Sequence, residues 1–463
     1  MSLSNYSNAQ DSTYIKKKYE KFEYMIKMRD GKKLYTAVFV PRDKTKKYPI
    51  LLNRTPYSCQ PYGKNAYWQQ IGPGFSKKYV DEGFIFVKQD VRGRFLSEGE
   101  YEDIRPHLPT KKGKEFDEAS DTYDAVDWLV KNIKECNGNV GVYGISYPGF
   151  YASCAALANH PAIKAVSPQA PVTNWFLGDD VHHNGAFFLF DDFTFDYVFG
   201  KPRPKPTTVW EKGFKYPTSD AYNFFLKLGT LQNITRTYMD SLKFWGEEMN
   251  HPNYDKFWQD RDIRKHFKNI TCAVLTVGGL YDAEDCWGGF ETYKWIENLS
   301  PKTNNKIIEG PWFHGGWSRS EGNYFGDIKF GSNTSIYYCD SIEFPFFMQH
   351  LKGAKDANLA EATVFDIGAD PVEHGLRTIC IRQSDDRDGA RIIDGGAHVG
   401  DRLLRVALVV EEIELEPMPG DAALLVDPQL LLAGKLAGRS EVARVEAGLR
   451  LGVDQQLDRD RRL

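Results

Sequence analysis

The chain has 463 residues, room for two or three domains and a large core, and its 41% hydrophobic and 26% charged content is ordinary for a globular protein. A net charge of −4 gives no electrostatic footprint for nucleic acid or an anionic membrane. No apolar run approaches the ~20 residues of a spanning helix, and no CxxC occurs among the seven scattered cysteines (59, 136, 154, 272, 286, 339, 380), so neither a zinc cluster nor a disulfide framework is indicated.

The first 18 residues are polar and then lysine-rich, without the apolar stretch of a signal peptide. The default location is cytoplasmic, with export open if a leader has been removed. Residues 22–57 read as a β region. Tyr24–Met28 and Leu34–Val40 flank Arg29-Asp30-Gly31, a hairpin turn, and Ile50–Arg54 follows as the next strand. Phe84–Asp90 is a buried strand ending in Val91-Arg92-Gly93-Arg94, where Asp90 reads as an ion-pair partner of Arg92. Asp121–Lys134 carries apolar residues at helical spacing.

Asn139–Tyr143 is a short strand, and Gly149–Ala158 a helix with a small-residue face. Between them lies Gly144-Ile145-Ser146-Tyr147-Pro148-Gly149, a GxSxxG run, one residue longer than the GxSxG of the nucleophile elbow, at a strand-to-helix turn that presents a nucleophilic serine in a strained backbone. Alternation of strand and helix on this scale predicts a parallel sheet covered on both faces. Residues 185–262 are aromatic and irregularly helical, an inserted cap. The sheet resumes at Cys272–Gly279 and Asn305–Gly310.

A serine hydroxyl needs a base, and the base needs an orienting acid. In an α/β-hydrolase these follow in the order Ser, acid, His, each just past a strand end. Asp282 and His314 stand at those places, so Ser146, Asp282 and His314 are the candidate triad. His182-His183 offers two adjacent imidazoles that diverge on a regular element, so no metal site is read there. Asp191-Asp192 and Asp196 read as a solvated acidic patch of the cap. No metal and no cofactor is called for.

Several motifs together resemble the α-amino acid ester hydrolases, within the wider group of X-Pro dipeptidyl-peptidase-like and cocaine-esterase-like serine hydrolases. They are Arg54-Thr55-Pro56-Tyr57, Gln89–Arg94 with Ser97-Glu98-Gly99, Ser146-Tyr147, Gly178-Asp179-Asp180, Asp282–Asp285 and Gly310–His314. The likeness runs from about residue 20 to 365. It implies an α/β-hydrolase domain (20–184 and 263–355) with the helical cap (185–262) between its halves. It also implies an oxyanion site made by the Tyr147 backbone N–H and the Tyr57 phenol, and a substrate-ammonium site made by Asp180, Glu284 and Asp285. Crowded carboxylates repel one another, and an ammonium relieves the repulsion.

The implied activity is acyl-enzyme hydrolysis of α-amino acid esters or amides, or aminoacyl transfer to an amine such as a β-lactam nucleus. The alternatives are an X-Pro dipeptidyl-peptidase, a cocaine-esterase-like or glutaryl-acylase-like hydrolase, or an inactive, partner-binding product of a truncated or fused gene. The partner expected is a small amino-acid ester, amide or short peptide; oligomeric state is open between monomer and homo-oligomer.

The family continues into a C-terminal jelly-roll domain, and 356–369 resembles its start. From residue 366 onward there is no aromatic and a single lysine, Lys435, against a dozen arginines. The tail 370–463 therefore reads as a differently evolved domain or as sequence from another reading frame. It is expected to replace most of the jelly roll and to be poorly ordered.

Overall fold

A computed structural model describes residues 12–74 and 77–366, and the backbone of two further strands, 377–382 and 391–394. Strands β1 (Tyr19–Lys27) and β2 (Lys33–Pro41) form the expected hairpin; β1 begins five residues before the sequence pattern suggested and ends one before, and β2 is one residue longer at each end. Its turn closes where Gly31 N donates to Met28 O at 2.9 Å, and Gly31 sits at φ 96°, open chiefly to glycine. Next come β3 (Tyr48–Thr55), β4 (Ile85–Asp90), β5 (Cys136–Ile145) and β6 (Ile163–Gln169). After a short ribbon, β7 (His182–His183) with β8 (Ala186–Phe187), the sheet resumes with β9 (Ala273–Gly279) and β10 (Asn305–Gly310). A second ribbon, β11 (Tyr324–Phe325) with β12 (Ile328–Lys329), precedes β13 (Ala362–Asp366), β14 (Arg377–Arg382) and β15 (Arg391–Asp394).

The main sheet has the order β1-β2-β4-β3-β5-β6-β9-β10-β13-β14-β15. Its middle, from β4 to β13, is parallel, and both margins are antiparallel. This is the α/β-hydrolase fold. Alternate residues of β3 feed opposite cores: Ile50 and Leu52 pack with helix Glu118–Asn132 and helix Tyr147–Ala158 on one face, Leu51 with helix Phe344–Lys352 on the other. Helix Glu118–Asn132 begins three residues before the periodicity suggested. Asp117 and Ser120 form a reciprocal capping box that starts it.

The segment between β6 and β9 forms the cap's short helices, including Leu189–Phe199, Ala221–Leu228 and Lys243–Asn250. Phe193, Phe224, Phe225, Met239 and Trp245 give it an aromatic core of its own. Ala362–Asp366, read from sequence as the opening of a jelly roll, pairs parallel with β10 and continues the hydrolase sheet. The tail 370–463 lies outside the described residues apart from the backbone of β14 and β15. Among the described residues no helix is long and apolar enough to cross a membrane, and Cys59, Cys136, Cys154, Cys272 and Cys286 are free thiols.

Candidate active site

Ser146 follows β5 directly, with φ 68° and ψ −131°, a conformation that costs a non-glycine residue roughly 1–3 kcal/mol. The surroundings enforce it. Ser146 N donates to Gln169 O at 2.9 Å, while Gly149 N and Phe150 N donate back to Ser146 O at 2.7 and 3.1 Å. A Cβ on Gly144 would fall 2.3 Å from Pro148 O, and one on Gly149 2.5 Å from Gln169 O. Both flanking glycines are therefore steric requirements of the turn. Helix Tyr147–Ala158 starts at once, so the Tyr147 N–H belongs to the first turn, which has no carbonyl within the helix to bond.

Asp282 and His314 meet because the loops after β9 and β10 are tied together. Leu280 N donates to Gly310 O at 2.8 Å and Tyr281 N to Trp312 O at 3.1 Å; a Cβ on Gly279 would strike Trp312 O at 2.3 Å. Asp282 is fully buried. Its Oδ1 accepts from Glu284 N and Asp285 N, both at 2.9 Å, and its Oδ2 lies 2.8 Å from His314 Nδ1. Against an ionised carboxylate only the Nδ1–H tautomer makes that bond, which leaves the Nε2 lone pair to accept a proton. Burial pushes the imidazole pKa down, but the hydrogen bond and charge of Asp282, with the charges of Glu284 and Asp180, more than offset it, and the net shift is upward. A Cβ on Gly315, the next residue, would touch Ile145 Cγ2 at 3.4 Å, so the histidine loop adjoins the serine turn.

Tyr57 stands two residues beyond β3, its N–H donating to Thr55 Oγ1 at 3.0 Å. Its ring meets Tyr147 edge-on at 6.5 Å and the cap's Phe195 and Phe199 at 6.5 and 5.7 Å. Burial raises the phenol's pKa far above its usual range, the charge of Asp180 adds to this, and Ser146 opposes it. The phenol thus stays protonated and able to donate. The Tyr147 side chain is turned away: its hydroxyl accepts from Ile104 N at 2.7 Å and donates to Asp103 at 3.2 Å. Only its backbone N–H is left for the site.

Asp180, Glu284 and Asp285 come together beside His314. Asp180 N donates to Glu284 O at 3.2 Å, and Glu284 Oε2 lies 3.6 Å from His314 Nε2. Asp285 is fully buried and neither carboxylate oxygen has a hydrogen-bond partner among the described residues. Burial raises its pKa well above the carboxylate range, and the charges of Asp180, Asp179, Asp282 and Glu284 raise it further. Asp180 is raised by burial and by Glu284, with His314 opposing. Asp179, without a role in the sequence reading, accepts from Thr173 N, Thr173 Oγ1 and Asn174 N at 2.8–3.0 Å and so fixes the loop that carries Asp180. Asp103 was likewise missed, since nothing in its local pattern marks it.

Two expectations are corrected. Asp90 does not pair with Arg92; its oxygens accept from Cys59 N and Tyr62 Oη at 2.8 and 2.9 Å. Arg92 turns instead to Asp121 and Asp30, at 2.7 and 2.6 Å. The cap acids Asp192 and Asp196 are buried rather than solvated, because Glu248 and the aromatic cap close over them. His182 lies among the rings of Phe176, Phe187 and Trp258, where burial pushes its pKa down to about 4.

Residues 30–316 match the family model of the X-Pro dipeptidyl-peptidase (S15 family). The chain is similar to the cocaine esterase of Rhodococcus sp. (strain MB1 Bresler), 24% identical over 364 residues, 75% of this chain and 58% of that protein. It also resembles a putative Xaa-Pro dipeptidyl-peptidase of Bacillus anthracis, 24% identical over 353 residues, 66% of this chain and 51% of that protein. Among solved structures, an aminopeptidase from a marine sediment Thaumarchaeota archaeon superposes with a TM-score of 0.69 at 30% identity, over 80% of this chain and 60% of that one. A selenomethionine-labelled α-amino acid ester hydrolase gives 0.68 at 32% identity, over 79% and 59%. The chain spans less than two thirds of the length of each of these relatives. By its matched residues and its fold, the chain belongs to the X-Pro dipeptidyl-peptidase (S15) family of serine hydrolases.

Proposed function

We propose that this serine hydrolase acts on esters or amides of α-amino acids whose amine is free, with Ser146 as nucleophile, His314 as base and Asp282 as its orienting acid. Ser146 Oγ attacks the carbonyl carbon while His314 Nε2 takes its proton. The developing oxyanion accepts from the Tyr147 N–H and the Tyr57 hydroxyl. His314 then returns the proton to the leaving alcohol or amine, and an acyl-serine ester remains. Water, or an amine such as a β-lactam nucleus, attacks that ester through the same base and frees Ser146.

The observation that carries the substrate reading is Asp285, a buried carboxylate whose two oxygens accept no hydrogen bond among the described residues, His314 Nδ1 coming only to 3.9 Å, with Asp180 and Glu284 beside it. An ammonium in that place supplies the missing donors. One charge pair at 4 Å is worth about 4 kcal/mol at an effective dielectric near 20, before desolvation. That suffices to favour a free amine over an acylated one by orders of magnitude.

The test compares phenylglycine methyl ester, its N-acetyl derivative and Ala-Pro-anilide, on the native chain and on Asp285→Asn and Asp180→Asn. Loss confined to the free-amine substrates is expected. An equal loss on the N-acetyl ester overturns the ammonium role, and preference for Ala-Pro-anilide assigns the site to dipeptidyl-peptidase chemistry.

A further inference from the structure

Inside the cap three carboxylates converge that the proposed reaction does not use. Asp192 and Asp196 lie one turn apart on helix Leu189–Phe199, and Glu248 comes from helix Lys243–Asn250. An oxygen of each lies within 4.8 Å of the other two. Their exposures are 6%, 1% and 2%. Asp192 Oδ2, Asp196 Oδ2 and both Glu248 oxygens have no hydrogen-bond partner among the described residues.

The neighbourhood neutralises them only in part. Arg94 is the cation whose charge reaches Asp196; two of its nitrogens donate to Phe199 O and Pro56 O at 2.8 and 3.3 Å, and Nη2 has no hydrogen-bond partner among the described residues. Asp103 adds negative charge to all three, and Asp191 adds to Asp192. Like charges in an apolar, aromatic surrounding must be relieved, either by protons shared among the carboxyls or by a cation. Burial raises the pKa of Asp192 to about 8 against the opposing contact with Glu248, and holds Asp196 and Glu248 well above the carboxylate range.

The geometry admits a cation. An ion with Ca–O distances of about 2.3–2.6 Å can join oxygens up to roughly 5 Å apart. The carboxylates fall inside that span, and their unpartnered oxygens come from two different helices, as ligands converging on one point do. The donors are all carboxylate oxygens, which suits a hard cation and not zinc or copper. We propose that Asp192, Asp196 and Glu248 bind one hard divalent cation of the Ca²⁺ class, which clamps the two cap helices together. Helix Leu189–Phe199 also brings Phe195 and Phe199 against Tyr57, so the ion fixes a wall of the candidate active site from behind.

The experiment is calorimetric titration of the full chain, stripped with EDTA and desalted, with CaCl₂ and separately with MgCl₂, alongside thermal melts with and without EDTA. One saturable Ca²⁺ site per chain is expected, with a melting temperature raised by about 4 °C at a hundredfold excess over Kd. Terbium luminescence excited through Trp245, on the same helix as Glu248, should saturate at one ion and be displaced by Ca²⁺. Asp192→Asn with Glu248→Gln should lose the binding, yet melt no lower than the stripped native chain, because the repulsion is gone. A native chain that takes up no ion, with melts indifferent to EDTA, overturns the proposal and leaves shared protons as the answer. Unchanged binding by the double variant overturns it too. If that variant does not fold, the native titration decides alone.

Discussion

Tyr57→Phe isolates a single hydrogen-bond donor. The ring is held by Tyr147, Phe195 and Phe199, contacts that phenylalanine keeps, so the deletion removes one hydroxyl and little else. That hydroxyl cannot contribute as an anion, since burial and neighbouring carboxylates keep it protonated. Its proposed role is to donate toward the oxyanion, where one preorganised donor is worth about 2.7–4 kcal/mol, or 10²–10³ in kcat. The ground-state carbonyl feels the donor far less, so KM should change by no more than about threefold. Steady-state kinetics on phenylglycine methyl ester, with a melting curve to show that packing is kept, measures this. The variant should still be labelled by a fluorophosphonate, more slowly. A fall in kcat of less than about fivefold, or a loss carried by KM alone, refutes Tyr57 as an oxyanion donor.

Ser146→Ala should abolish both turnover and fluorophosphonate labelling; surviving labelling would mean a different nucleophile. Glu284→Gln removes a negative charge 3.6 Å from His314 Nε2. Because that charge helps raise the histidine's pKa, its removal lowers it, the base becomes neutral at lower pH, and the acid limb of kcat/KM should move to lower pH; an unmoved limb or a shift upward contradicts the assignment of His314 as base. Gly149→Ala puts a Cβ 2.5 Å from Gln169 O and 3.0 Å from Pro171 Cα, both backbone. A loss of about 1–3 kcal/mol of stability is expected, read as a lowered melting temperature together with slower turnover; a variant that melts and turns over normally would show the turn to be looser than the structure has it.

The candidate triad was legible because its members occupy strand ends, and strand ends are written locally: a run of apolar residues, then glycine, then the polar residue. Tyr57 and Asp180 were reached through motif resemblance. What stayed hidden depends on contacts between distant segments. Asp192 and Asp196 are four apart on a helix, a spacing that in isolation marks a water-facing stripe. Only the folded cap brings Glu248 opposite them. Asp90 and Arg92 are close in sequence and opposite in charge, yet each is claimed by partners from other elements, Cys59 and Tyr62 for one, Asp30 and Asp121 for the other. Element boundaries moved for the same kind of reason, as at the capping box of Asp117 and Ser120.

The order of strands in the sheet has a mechanical consequence. Ser146 follows β5 and Asp282 follows β9, each with four strands between it and the nearer edge, whereas His314 follows β10, one strand closer to the margin formed by β13, β14 and β15. The atom proposed to strike the substrate is thus anchored well inside the sheet, on a strand flanked by β3 and β6. The imidazole proposed as base follows a strand whose outer neighbour is β13. The lateral support of that histidine therefore comes from chain lying beyond the family-matched segment, through the three register pairs from Ile307↔Ala362 to Glu309↔Val364. Changes after residue 360 can in this way tune the base without touching the nucleophile.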